Sequence, residues 1–227
     1  MTGQEVYEAL LNSGCDTLYH ANSVKTSLSL LELGGLASRG LVHDRRLPQT
    51  SQISDRKDQE YGIWYDSFLD THDIHSVLRR RNFYGPVMFV MSSEILLRLP
   101  EGSTVQTTRC NPTKWDGLSN IQRYFLTKDE LVKGLRVGHF DHMLTIRTPH
   151  GIVPFADTLE KIVLDEPRLP DPDVGPEYEA ARDAILACAA RSGIRLTVER
   201  RVCDHCSCQS DYQNSNKPKR IGYFFSP

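Results

Sequence analysis

The run Pro86-Val-Met-Phe-Val-Met91 constrains the fold of this chain more than any other stretch. All six residues are apolar, so the run shows neither the period of two of a half-buried strand nor a helical period. A short run that is apolar on both faces is typical of a strand buried inside a sheet. We therefore expect Pro86–Met91 to be a central strand.

Other segments carry strand or helix patterns in irregular order. Strands are predicted at Thr17–His20, Val105–Arg109, His142–Thr148, Leu159–Leu164 and Ile194–Val198. Helices are predicted at Thr2–Leu11, after Asn22 or Ser23, after Thr127, and from Pro176 to Gly193. The polar, aperiodic segment from Arg39 to Asp58 predicts a long loop. Interspersed elements without a repeat favour an α+β fold over a doubly wound α/β sheet.

Length and composition indicate a globular protein. With 227 residues the chain can form one substantial core, and we expect a single domain over residues 1–200 and a polar, Cys-containing tail over 201–227. No run approaches the ~18 apolar residues of a membrane helix, and MTGQEVYEALLNSG lacks the features of a signal peptide. These observations predict a cytoplasmic protein that does not bind membranes.

Charge and missing motifs exclude several functions. A net charge of −2 argues against coating nucleic acid through an overall field, although basic runs such as Arg79–Arg81 permit local contacts. The sequence contains no P-loop, Gly-x-Gly-x-x-Gly, Gly-x-Ser-x-Gly or His-Glu-x-x-His motif. The commonest nucleotide hydrolases, Rossmann dehydrogenases, serine hydrolases and zinc proteases are therefore excluded.

Three polar features remain, well separated along the chain. His20 ends the first predicted strand and Asn22 precedes a leucine-rich helix, Arg56 lies in the long loop, and Glu160 opens a late strand. Each has an ordinary structural explanation. His20 can be a satisfied corner histidine, Asn22 a helix cap, Arg56 a solvated side chain, and Glu160 an outward-facing strand residue.

Taken together, these pieces resemble the ADP-ribosyltransferase superfamily, and within it the DarT-like nucleic-acid-modifying toxins. The matching pieces are Leu18-Tyr-His-Ala-Asn-Ser-Val-Lys25, Ser54-Asp-Arg56 and Asp157-Thr-Leu-Glu-Lys-Ile-Val-Leu164. The resemblance spans Thr17 to Leu164 and rests on short, degenerate motifs. It implies an α+β fold with a split mixed or antiparallel β core, peripheral helices, and NAD+ as co-substrate.

The resemblance also implies roles for individual residues. His20 and Asn22 would hold ribose hydroxyls, and one tyrosine, Tyr61 or Tyr65, would stack on nicotinamide. Transfer from NAD+ passes through an oxocarbenium-like state. Glu160 would stabilise that state or deprotonate the acceptor, and Arg56 would meet the pyrophosphate or orient the acceptor.

The sequence departs from the family pattern in two places. The stacking aromatic is ambiguous, because Tyr84 competes with Tyr61 and Tyr65, and all three can equally be packing residues. Thr158 stands two residues before Glu160, where arginine-specific protein modifiers carry Glu or Gln. This difference favours DNA or RNA as the acceptor. The resemblance further implies a bacterial toxin or antiviral-defence effector with a protein antitoxin as its partner.

A cysteine cluster near the C-terminus leaves other functions open. Cys203, Cys206 and Cys208, with His205 between them, are weak zinc ligand candidates, and free reduced thiols are the simpler interpretation. One alternative function is an NAD-dependent RNA 2′-phosphotransferase. Another is a non-enzymatic nucleic-acid or protein-binding module with a zinc-supported tail.

Overall fold

The computed structural model describes residues 1–77, 84–166, 176–202 and 219–227. The strands are β1 (Thr17–Asn22), β2 (Gly35–Ala37), β3 (Ser67–Asp70), β4 (Val87–Ser92), β5 (Thr104–Thr108), β6 (Tyr124–Phe125), β7 (Met143–Arg147), β8 (Ile152–Pro154), β9 (Leu159–Asp165) and β10 (Val198–Arg201). The helices are α1 (Gly3–Asn12), α2 (Val24–Glu32), α3 (Arg39–Asp44), α4 (Asp55–Glu60), α5 (Ile74–Val77), α6 (Asn120–Arg123), α7 (Lys128–Gly134), α8 (Pro176–Arg191) and α9 (Lys219–Phe225). Short 3₁₀ turns cover Ser93–Arg98 and Pro112–Lys114.

Eight of these strands form one mixed, mostly antiparallel sheet in the order β10-β9-β4-β1-β3-β7-β5-β6. Strand β4 lies between β1 and β9 and is buried from Val87 to Met91, so the predicted central strand is confirmed. Strands β2 and β8 form a separate two-stranded sheet. The predicted α+β class with peripheral helices is also confirmed.

The large sheet is nearly split between β1 and β3. Six residue pairs join β1 to β4, from Thr17↔Ser92 to Asn22↔Val87, whereas the pair Tyr19↔Asp70 alone joins β1 to β3. Strand β3 in turn pairs fully with β7 over Ser67–Asp70. The strands therefore form two half-sheets that meet at one residue pair and diverge beyond it, as expected for a split core.

The main core lies on the face of the sheet that α2, α8 and α9 cover. Phe89 of β4 stacks on Phe155 at a ring-centroid distance of 5.5 Å. Phe224 and Phe225 of α9 are buried in the same core, and α9 contacts α2 and α8. Helix α9 therefore packs on the core through these two side chains. Residues 203–218, with the candidate zinc ligands Cys203, Cys206 and Cys208, lie outside the described residues.

The segment predicted as one long loop contains two short helices, α3 and α4. Ser38 caps α3 by accepting a hydrogen bond from the Leu41 amide at 3.2 Å. The Arg39 side chain then binds the Asp55 carboxylate at the start of α4 through Nε at 2.5 Å and Nη2 at 2.9 Å. Helices of six residues show too little periodicity to be recognised from sequence, and a long-range ion pair orders the residues between them.

No helix in the described part of the chain is both long and apolar enough to cross a membrane.

Two ion pairs bridge β9 and β10 in different surroundings. Asp165 is fully buried and binds Arg201 at 2.7 Å, with His75 at 3.3 Å. Burial favours the neutral acid, but attraction to His75 and Arg201 outweighs it and lowers the pKa of Asp165. Lys161 binds Glu199 at 2.9 Å on the exposed part of the same strand pair.

We expect Asp165→Asn to lower the free energy of unfolding by about 3 kcal/mol, because it removes the buried charge that Arg201 and His75 face, even though Arg201 keeps its ion pair with Asp73 at 2.6 Å. Glu199→Gln should change it by less than about 1 kcal/mol, since the exposed pair is solvated. Urea denaturation of both variants at pH 7 measures the difference. Equal effects of the two substitutions on the free energy of unfolding would contradict the expectation that the buried pair contributes more stability than the exposed one.

Candidate active site at the split of the sheet

A cavity of about 600 Å³ opens where β1 and β3 diverge. Its walls come from the end of β1, from β3, from α3 and α4 with the segment between them, and from residues 111–113 and 140–143. Small-molecule sites commonly have volumes of about 300–1,000 Å³ and a few polar groups in an otherwise apolar wall. The cavity is therefore the candidate active site.

His20 lies at the floor of this cavity and links the two half-sheets. Its Nδ1 donates a hydrogen bond to the Phe68 carbonyl of β3 at 2.8 Å, and its Nε2 accepts one from Asn22 Nδ2 at 3.3 Å. Burial lowers the pKa of His20 to about 4, helped by the positive charge of Arg39 and opposed by the Phe68 bond. The imidazole is therefore neutral at physiological pH, with its proton on Nδ1.

Asn22 is held rigidly beside His20. Its Oδ1 accepts a hydrogen bond from the Ser23 amide at 3.0 Å, and Ser23, not Asn22, caps α2 by accepting from the Thr26 amide. One Nδ2 hydrogen points to His20. The second has no acceptor among the described residues, so Asn22 can donate a hydrogen bond to a ligand.

Two acidic residues in the cavity wall have pKa values that burial raises. Burial is the largest cause that raises the pKa of Asp70, to about 7, and that of Asp58, to about 6. The neighbouring Tyr84 has a pKa raised to about 12 by burial and by the charges of Asp70 and Asp58. Such shifts are typical of functional sites, although structural networks cause them too.

The wall also carries cations. Arg39 Nη1 is buried without a hydrogen-bond acceptor among the described residues, while its Nε and Nη2 bind Asp55. Arg56 is exposed in the same wall. A buried guanidinium hydrogen that lacks an acceptor is costly, and an anionic ligand would supply one.

The structure brings together only some of the residues singled out in the sequence. His20, Asn22 and Arg56 line one cavity, as does Tyr84. Tyr61 and Tyr65 are not in its lining. Tyr61 packs on Trp115 at 5.6 Å and donates to Asp116, and Tyr65 donates to Asp44 at 3.0 Å on the surface.

Glu160 also lies away from the cavity lining. It is exposed at the start of β9, where the register with β4 shifts between Val90 and Met91. Its charge contributes to raising the pKa of Tyr19, after burial and the charges of Asp73, Cys15 and Asp16. Sequence reasoning missed Arg39, Asp58 and Asp70 as cavity residues, because β3, α3 and α4 were not predicted. The position of Arg39 and Asp58 at the two ends of a polar, aperiodic segment was their only signal, and Asp70 had none.

Comparisons with known proteins identify the fold. No protein-family model matches the sequence, and no curated protein matches it significantly. The solved structure of Thermus sp. 2.9 DarT in complex with NAD+ is similar with a TM-score of 0.51 and 13% sequence identity, over 82% of this chain and 96% of that chain. Thermus sp. 2.9 DarT in complex with ADP-ribosylated ssDNA has a TM-score of 0.49 and 15% identity, over 88% of this chain and 97% of that one. The chain therefore has a DarT-like fold.

Proposed function

We propose that this chain is an NAD+-dependent ADP-ribosyltransferase that modifies DNA or RNA. The observation that carries the proposal is the His20–Asn22 corner, which lines a cavity at the split of a sheet in a DarT-like fold. A DarT structure of that fold was solved with NAD+ bound. We propose that NAD+ binds to this chain in the cavity described above.

The charge distribution of the cavity suits NAD+. The nicotinamide ring is a cation, and the diphosphate that links the two nucleosides is an anion. Asp58 and Asp70 provide negative charge in the wall and Arg39 and Arg56 provide positive charge, so groups of both signs are available to NAD+. We place the nicotinamide riboside towards the carboxylates and the diphosphate towards the guanidinium groups, since each charge then meets its opposite.

Neutral His20 acts in this scheme by orienting Asn22. Because both ring nitrogens are occupied by Phe68 and Asn22, the ring itself has little capacity left for a ligand. Asn22 uses its second amide hydrogen to hold a ribose hydroxyl. Tyr84 takes the place of Tyr61 and Tyr65 as the tyrosine that contacts nicotinamide, since it lines the cavity and they do not.

In the proposed reaction the bond between ribose C1′ and the nicotinamide nitrogen breaks. Nicotinamide leaves as a neutral molecule with the bonding electrons, and an oxocarbenium-like ribose is captured by a nitrogen or hydroxyl of the acceptor. Exposed Arg56 at the cavity wall orients the acceptor or its phosphate. A catalytic contribution of Glu160 rests on the resemblance of its sequence segment to the family.

The nature of the acceptor is inferred from sequence. Thr158 replaces the acidic or amide residue that precedes the glutamate in arginine-specific protein modifiers, which favours nucleic acid over protein. The toxin or antiviral-defence role and the antitoxin partner follow from the same resemblance. The apolar lining residues Phe68 and Phe140 offer surfaces on which an unpaired base can stack.

We expect the purified chain to transfer label from adenylate-labelled NAD+ to DNA or RNA, with release of free nicotinamide. Separate incubations with single-stranded DNA, RNA and a protein pool identify the acceptor by gel and mass spectrometry. Heat-denatured chain is the blank. Absence of both labelled acceptor and released nicotinamide in all incubations would contradict the proposed function.

Asn22→Ala should weaken NAD+ binding about 3- to 10-fold, the equivalent of one lost hydrogen bond. Asn22→Asp keeps the acceptor for the Ser23 amide but removes the amide donors, so it should weaken binding at least as much. Calorimetric titration with NAD+ measures both. Asn120→Ala, an exposed change on α6, is the matched control and should bind as the unmodified chain does. Unchanged affinity in both Asn22 variants would show that this corner does not hold NAD+.

A further inference from the structure

Three carboxylates line the cavity, and their surroundings differ. Asp66 forms an ion pair with Arg147 at 2.6 Å, so the charge of its carboxylate is balanced. Asp58 accepts a hydrogen bond from the Ser54 side chain, and its carboxylate is stabilised by the positive charge of Arg39. Asp70 has neither an ion pair nor a hydrogen bond to its carboxylate in the described part of the chain, and burial alone shifts its pKa. A partly buried carboxylate in a cavity wall that has no partner does not stabilise the fold and calls for another explanation.

The topology places Asp70 where the two half-sheets meet. It is the last residue of β3 and faces Tyr19 in the single pair that joins the half-sheets. The backbone carbonyl of Phe68, two residues earlier in β3, accepts the hydrogen bond from His20. Asp70, Phe68 and His20 line the same cavity.

We infer that Asp70 is the general base of the transfer reaction, an assignment that rests on the proposed function. As ribose C1′ forms its bond to the acceptor nitrogen or oxygen, the acceptor N–H or O–H bond breaks and its electrons remain on the acceptor atom. The proton passes to the Asp70 carboxylate and then to solvent. Nicotinamide has already left with the electrons of the C1′–N bond, so atoms and charges balance.

The environment of Asp70 suits this role. A general base works best when its pKa lies near the working pH, and burial holds the pKa of Asp70 at about 7. Among the residues that the structure describes, the other titratable or charged groups in the cavity lining are His20 on β1, Arg39 on α3, Arg56, Lys57 and Asp58 on α4, Asp66 before β3, and Tyr84 before β4. His20 is neutral and Lys57 is paired with Asp116, so neither holds Asp70 in its charged form.

Asp70→Asn tests the assignment, because it is isosteric and removes only the base. At saturating NAD+, where any loss of affinity from the missing charge has no effect, we expect transfer to the acceptor to be slowed about 100- to 10,000-fold. In the unmodified chain, the single-turnover rate should rise as the pH increases through about 7, where Asp70 loses its proton. This rise should be absent in Asp70→Asn. Asp129→Asn, an exposed change on α7, should leave rate and pH profile unchanged.

Thermal stability separates a catalytic from a structural Asp70. The folded pKa of Asp70 lies above its ordinary value of 3.8, so ionisation favours the unfolded chain and stability is lost as pH rises from 4 to 7. Asp70→Asn should therefore melt at a higher temperature than the unmodified chain at pH 8. Asp66→Asn, which breaks the Arg147 pair, should melt lower.

The outcomes separate this inference from the proposed function. If the unmodified chain neither binds NAD+ nor transfers label, both fail together. If it is active and Asp70→Asn transfers at the same rate or keeps the pH-dependent rise, the general-base assignment alone is overturned. A loss of activity in Glu160→Gln with full activity in Asp70→Asn would move the role to Glu160.

Discussion

The hydrogen bond from His20 Nδ1 to the Phe68 carbonyl is the interaction on which the candidate site depends. It joins β1 to β3 where their backbone pairing is limited to Tyr19↔Asp70. A histidine is suited to this place, because one nitrogen can donate to β3 while the other accepts from Asn22. Burial supports the arrangement by keeping the ring neutral, since a protonated Nε2 could not accept from the Asn22 amide. The half-sheets can thus separate enough to open a cavity while remaining in register.

Local sequence signals predicted several elements in both half-sheets. The apolar run at Pro86–Met91, the helix from Thr2, the helix after Thr127 and the strand at Leu159 all depend on neighbours in sequence, and each lies close to where it was expected. The class of fold follows from their order. The same signals identified His20 and Asn22 as candidate site residues, because a polar pair between a strand and a helix interrupts an otherwise apolar pattern.

The other wall of the cavity could not be predicted from local patterns. Strand β3 has four residues and α3 and α4 have six each, so their periodicity is too short to read. Their positions are set by long-range contacts, above all the Arg39–Asp55 pair and the His20–Phe68 bond. The tyrosine that contacts nicotinamide could not be identified from the sequence either, because its position also depends on long-range contacts. Tyr61 and Tyr65 lie next to the polar loop in sequence, but Tyr84, beside the central strand, lines the cavity.

Unpaired groups in the cavity are easier to explain by ligand binding than by folding. Arg39 Nη1 lacks an acceptor and the carboxylate of Asp70 lacks a donor among the described residues, although Nη1 is buried and Asp70 is partly buried. The two groups have opposite charges, which suits a ligand with a cationic and an anionic part. A folded chain keeps such groups apart only if surrounding contacts hold them, and here Asp55 fixes Arg39 while the strand pairing of β3 fixes Asp70. Instability is therefore concentrated where a bound ligand would relieve it, which is the arrangement expected of a preorganised site.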